Sequence, residues 1–155
     1  MSRAATSIEV AELGAADLGE VVRIDALHTG KAKPEYWRGV FARFVGGGSD
    51  TLRVGLGGRE AGHLVGYLFG EVRAFEFGSE VCGWIFSIGV EPTALRSGIG
   101  SRLLVESCRR FRAAGVARVR TMVVRNEVPV LAFFRSNGFV AGSFVQLEVD
   151  LEESR

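Results

Sequence analysis

Hydrophobic residues change their spacing several times along this chain, and each change marks an element. Residues 7–10 read as a short opening strand. Asp17 stands where it can cap a helix whose apolar side carries Leu18, Val21, Val22, Ile24 and Leu27. Pro34 suits the first turn of a second helix, with Trp37, Val40, Phe41 and Phe44 at helical spacing. Strand patterns at 51–56 and 64–72, joined by a Gly/Arg/Glu turn, predict a hairpin. From 81 to 90 both alternating sets of positions are apolar, as in a strand buried on both faces.

Pro92 ends that strand, and a helix begins near Gly98. Leu103, Leu104, Cys108 and Phe111 form its apolar face, with Arg102, Glu106, Arg109 and Arg110 on the outside. Gly115 is a helix stop. Residues 116–124 then read as a strand, 126–136 as a short helix closed by Asn137-Gly138, and 139–149 as a final strand or hairpin. The order is β-α-α-β-β-β-α-β-α-β, a mixed α/β layer.

Length refines this picture: 155 residues predict one domain, 1–155. Gly46-Gly47-Gly48-Ser49-Asp50 is a flexible joint, but the 45 residues before it are too few for a separate domain. Glycine is the compositional outlier, 21 residues, about twice the usual share, so close backbone approaches are expected. Two cysteines and two histidines argue against a disulfide framework or a metal. No apolar run reaches a membrane-spanning length and the N-terminus lacks a signal-peptide core, which predicts a cytoplasmic protein without a membrane partner.

Charge is uneven. Nine arginines between Arg96 and Arg135 face only Glu106 and Glu127, a local +7 in a chain of net +1. A basic segment suits a polyanion, either cofactor phosphates or nucleic acid, and equally a solvated helix face. Nucleic acid is the weaker reading, because Glu106 pairs with several of these arginines and 116–124 offers no aromatic stacking platform.

The informative stretch is Val90-Glu91-Pro92-Thr93-Ala94-Leu95-Arg96-Ser97-Gly98-Ile99-Gly100-Ser101. A buried strand runs through a glycine-containing turn into a helix start, where backbone N–H groups lack intrahelical partners and the helix dipole is positive. Two glycines admit a ligand and Arg96 adds full charge, a cradle suited to pyrophosphate. The Lys-Ser/Thr ending of a P-loop and the three-glycine dinucleotide spacing are both absent. An ordinary strand-to-helix turn is the plain alternative.

With Val90-Glu91-Pro92, Gly98-Ile99-Gly100, Asn126, Phe133-Phe134 and Gly138-Phe139 in that order, the chain resembles the GNAT acetyltransferase superfamily. The resemblance implies a mostly antiparallel central sheet flanked by helices, and acetyl-CoA or another acyl-CoA as donor. It implies pyrophosphate on the amides of Arg96, Ser97, Gly98, Ile99, Gly100 and Ser101. The pantetheine arm would follow the backbone of Ile88, Gly89 and Val90, with Asn126 and Phe133 alongside it. Asn126 also fits a plain N-cap, with Pro129 in the following first turn. The N-terminal helices lie where the family builds its acceptor pocket, and acidic residues there suit a cationic amine.

Three positions depart from the family. Leu95 stands where Arg or Gln is usual, Phe134 where a tyrosine acid is common, and Phe86-Ser87 where some members carry a glutamate. Candidates for relaying the amine proton are Glu76, Glu80, Asp25 and His28, each also readable as a solvated loop or helix-surface group. Cys82 reads as strand packing rather than as a nucleophile. The leading expectation is acetyl transfer to a primary amine, a small molecule or a protein N-terminus, by direct attack. A non-catalytic acyl-CoA sensor is the alternative. Homodimers are common in the family, though no residue marks one.

Overall fold

The computed structural model describes residues 7–48, 50–74 and 78–152. The chain divides into two compact units, Met1–Met122 and Val123–Arg155. In the first, five strands form one sheet in the order β1-β2-β3-β4-β5. Strands β1 (Ile8–Glu12), β2 (Arg53–Glu60), β3 (His63–Arg73) and β4 (Cys82–Val90) are antiparallel neighbours. Strand β5 (Val119–Thr121) runs parallel to β4 and pairs only with Gly83, Trp84 and Ile85. Helices α1 (Leu18–Thr29) and α2 (Pro34–Phe44) precede the β2–β3 hairpin, and α3 (Ile99–Ala113) links β4 to β5. This is the expected mixed, mostly antiparallel sheet flanked by helices. The strand anticipated over 116–124 is cut to three residues.

Side-chain volume divides the two faces of the sheet. On one, Val21 and Ile24 of α1 and Trp37, Val40 and Phe41 of α2 pack on Leu64, Tyr67 and Phe69 of β3. Phe69 gathers Trp37, Phe41 and Phe44, with centroid separations of 5.6, 5.8 and 6.2 Å. Neighbouring residues on a strand face opposite sides, so Gly58, Gly66, Gly70 and Gly83 present bare backbone to α3 on the other face. A Cβ at Gly58 or Gly66 would stand 2.9 or 2.8 Å from Ile99 Cγ2, and one at Gly83 would stand 2.7 Å from the Phe111 ring. Here the glycine excess acts: it lets α3 lie directly on the sheet.

Asp17 occupies the N-cap position of α1, yet makes no side-chain cap bond to that helix. Its carboxylate instead accepts the Gly14 N–H at 2.9 Å and Arg59 Nη2 of β2 at 2.8 Å, tying the helix entry to the sheet. Among the described residues no helix is long and apolar enough to cross a membrane.

The second unit holds α4 (Val128–Ser136), with Pro129 in its first turn. Phe134 is buried and meets Phe133 and Phe139 edge-on, each at 5.1 Å. Gly138 in the left-handed region ends the helix, and the Phe139 N–H closes onto the Phe134 carbonyl at 3.0 Å. The final strand expected at 139–149 is not formed. Those residues alternate as a strand would, but among the described residues the unit contains no strand to share a ladder, and Val145 and Leu147 stay exposed.

The glycine face predicts that Gly83→Ala costs about 1–3 kcal/mol by overpacking against the Phe111 ring. Gly39→Ala, in open space on α2, should stabilise by about 0.5–1 kcal/mol through helix propensity. Urea unfolding of the two variants should therefore move the midpoint in opposite directions.

Candidate functional site

Strand β4 carries the geometry that makes a site. Up to Ile85 its outward edge is occupied: the Gly83 N–H donates to the Arg118 carbonyl at 2.9 Å, and Thr121 Oγ1 donates to the Ile85 carbonyl at 2.8 Å. Facing β3, the register runs Gly70↔Ile85 and then Phe69↔Ser87, so Phe86 is an extra residue, a β-bulge. The bulge reverses the phase of the strand. The Glu91 N–H donates to the Val65 carbonyl at 2.7 Å, around the pair Gly66↔Val90. In an antiparallel ladder this makes Gly66↔Val90 a non-hydrogen-bonded pair. Val90's backbone groups, and by alternation those of Ile88, therefore point away from β3. The ladder to β5 has already ended at Ile85↔Thr121, which leaves this edge turned outward.

Two side chains of α1 brace the strand end. Arg23 Nη1 donates to Glu91 Oε1 at 2.8 Å while its other nitrogens hold Glu20. His28 Nε2 bonds to the Val90 carbonyl. A carbonyl only accepts, so Nε2 carries the proton in this contact.

After β4 the chain makes a single tight turn at Pro92–Ala94 and reaches α3 through Gly98, whose φ of 85° only glycine adopts without strain. Ser97 folds back, its Oγ donating to the Ala94 carbonyl at 2.6 Å and receiving the Ile99 N–H at 3.4 Å. The Ser97 N–H also bonds Ala94. Of the expected amide cradle, then, Ser97 and Ile99 are engaged within the turn. Gly98 and Gly100 N–H have no partner among the described residues. Ser101 is half-buried on the first turn of α3. The Arg96 side chain is exposed. Leu95 is exposed too, at 60%. Ile99 is fully buried over Gly58 and Gly66, and so fixes the helix start against the sheet.

The candidate proton-relay groups separate in space. Glu80 lies two residues ahead of β4, at the end of the strand opposite Val90, and Glu76 lies outside the described residues. Asp25 and His28 both belong to α1, and Asp25 is not the helix-surface residue that the pattern allows. It is 8% exposed and accepts Trp37 Nε1 at 3.1 Å. Asn126 is exposed in the second unit; α4 takes Glu127 as its N-cap, so the side-chain cap expected of Asn126 is not made. Phe133 is half-buried on α4.

The sequence pattern passed over Tyr67, which reads as one more core residue of β3. Its ring covers Gly89, where a Cβ would stand 2.6 Å from the hydroxyl. Only the strand register reveals this pairing. Burial, and then the nearby Asp25 charge, raise the Tyr67 pKa well above the ordinary range, against a smaller lowering by Ser87. The phenol keeps its proton. Among the described residues no group of three or more His, Cys, Asp or Glu could hold a metal ion.

Residues 21–139 match the model of the acetyltransferase (GNAT) family. The chain belongs to this family. A mycothiol acetyltransferase of Saccharomonospora viridis is 30% identical over 81 residues, which is 50% of this chain and 26% of that protein; the GNAT chain thus spans about a quarter of its curated relative. Similar folds include an aminoglycoside N-acetyltransferase in complex with CoA, with a TM-score of 0.81, 10% identity and coverage of 97% of this chain and 99% of that one. A transcriptional regulator from Bacillus halodurans C-125 gives a TM-score of 0.77 at 17% identity over 94% of this chain and 100% of that one. A ribosomal-protein-alanine N-acetyltransferase from Brucella melitensis biovar Abortus 2308 gives 0.74 at 14% identity, over 94% and 99%. At these identities the likeness is one of fold.

A raised Tyr67 pKa fixes the sign of an alkaline effect. The folded chain holds the proton more tightly than the unfolded chain, so this contribution to stability is full below the unfolded pKa near 10. It is lost as pH rises from there toward the folded pKa. Tyr67→Phe should leave the alkaline difference spectrum of the native protein unchanged, while removing one phenolate from that of the unfolded protein.

Proposed function

We propose that this GNAT chain transfers an acetyl group from acetyl-CoA to a primary amine by direct attack. One observation carries the reading: the bulge at Phe86 turns the backbone of Ile88 and Val90 outward on the strand that leads into the unpartnered amides of Gly98 and Gly100. An elongated donor with a diphosphate at one end and amides along its arm fits both features. The Gly98 and Gly100 N–H groups and the Arg96 guanidinium would take the diphosphate. The outward N–H and C=O groups of Ile88 and the N–H of Val90, whose carbonyl His28 already holds, would pair with the arm as a strand pairs with an edge. The match to the family model extends from 21 to 139, which supports reading 1–155 as one domain.

Bound acetyl-CoA supplies a thioester already activated for acyl transfer. The chain's task is then chiefly to hold a neutral amine against it, and positioning alone accounts for a large part of such rates. Attack forms a C–N bond and breaks the C–S bond; the sulfur leaves as a thiolate, and the proton that the nitrogen gives up passes through solvent to that sulfur. A backbone N–H of the outward edge is suited to polarising the thioester oxygen. A free thiol's pKa near 8.5 makes the thiolate a tolerable leaving group without a strong acid.

The alternative, an acyl-CoA sensor, draws on the same substitutions. Phe86 packs against Phe44 and Phe69, at 5.0 and 6.1 Å, in an aromatic cluster rather than presenting a carboxylate. Release of free thiol from acetyl-CoA in the presence of an amine panel supports the enzyme, whereas binding without release on every amine supports the sensor.

Donor binding has its own test. Gly98→Ala carries the strain of a non-glycine residue at positive φ without added bulk, whereas Gly98→Trp adds an indole over the amides. Calorimetry with acetyl-CoA should give at least tenfold weaker binding for Gly98→Trp than for Gly98→Ala. Equal affinities would remove the diphosphate from this turn.

A further inference from the structure

An ammonium group already sits beside the candidate site. Lys33 Nζ lies 3.2 Å from Asp25 Oδ2 and 5.6 Å from the centre of the Tyr36 ring. The same Asp25 oxygen accepts Trp37 Nε1, and the Tyr36 and Trp37 rings meet edge-on at 5.1 Å. A carboxylate, an aromatic face and a neighbouring indole make the surroundings that recognise organic ammonium ions. The cluster also adjoins β3 and β4. Trp37 packs edge-on against Tyr67 at 5.2 Å, Tyr67 covers Gly89, and His28, one turn beyond Asp25, holds Val90.

We infer that Asp25, Tyr36 and Trp37 form an ammonium site that Lys33 fills in the free chain and that an amine acceptor takes over when Lys33 swings out. The Asp25 side chain is only 11% exposed, and a carboxylate so enclosed requires a counter-charge. The chain supplies it from a place easily vacated. Lys33 precedes α2 without a side-chain cap bond, its side chain is 38% exposed, and it follows an exposed stretch that starts at left-handed Gly30. Tyr36 is 51% exposed, so the site opens on one side. Replacing one ammonium by another preserves its charge balance. The ligand class is a diamine or polyamine, with one ammonium on Asp25 and a second nitrogen free to react at the β4 edge. Only that last clause rests on the acetyl-transfer reading; cation binding does not.

The test reads the Trp37 indole N–H by NMR, titrating 1,3-diaminopropane at neutral pH without donor. The chain has two tryptophans, so Trp84→Phe assigns the signal. In Lys33→Met the Trp37 resonance should move and saturate, at a midpoint at least tenfold below that of the wild type. Adding Asp25→Asn, whose side-chain oxygen still accepts the indole N–H, should abolish the saturable shift, and retained dispersion of the unliganded amide spectrum verifies that each variant is folded. Lys33→Gln is a second neutral variant with the same expected gain. Equal titration of Lys33→Met and Lys33→Gln with the wild type, or a shift that survives Asp25→Asn, overturns the proposal. Calorimetry with acetyl-CoA on the same variants separates the two readings. Absent donor binding sinks the transferase while leaving an observed indole shift in place, and an absent indole shift sinks the ammonium site while donor binding stands.

Discussion

One additional residue in β4 sets the direction of every backbone group that follows it. Before Phe86 the outward edge is satisfied by β5 and Thr121; beyond it the phase has changed and the neighbouring strand has ended. Unpaired main-chain groups are costly when buried, so a strand edge left open in the middle of a sheet is a place for a ligand to complete the ladder. The candidate site begins with that phase change, and the bracing by His28 and Arg23 acts on the strand end it creates.

The sheet's two faces do opposite jobs. Under α3, glycines remove side chains so that Ile99 and Phe111 rest on the backbone. Dense packing of that kind leaves little freedom for displacement, which suits a helix whose first amides must be held still. Under α1 and α2, aromatic rings fill the space instead and admit polar atoms at their margin: the Tyr67 hydroxyl, the Trp37 indole nitrogen and the Asp25 carboxylate. The face under α3 is close-packed on bare backbone, and the face beside the end of β4 is where charge is accommodated.

Arginines of the basic segment are less available than their number implies. Glu106 holds Arg109 and Arg110, Arg110 also reaches Glu12, and the Arg102 guanidinium donates to the Ile8 carbonyl. Hydrogen bonds from Arg109 foremost, with Arg110, bring the Glu106 pKa down to about 2 despite some desolvation. Arg96, by contrast, is exposed in the turn before α3.

Periodicity alone was enough for the element order through α4, because helical and strand spacings of apolar residues are local properties of the chain. The turn at Gly98 was legible for the same reason: it is written in consecutive residues. The open edge at Ile88 and Val90 was named only through family resemblance, since its cause is a register between β3 and β4 that no local pattern records. Tyr67 over Gly89 and Lys33 on Asp25 were likewise invisible, being contacts across 22 and 8 positions. Residues 139–149 show the converse, a strand pattern without a strand. Alternation determines which side chains would share a face, but a ladder exists only where tertiary structure brings a second edge, and that the sequence of one segment cannot specify.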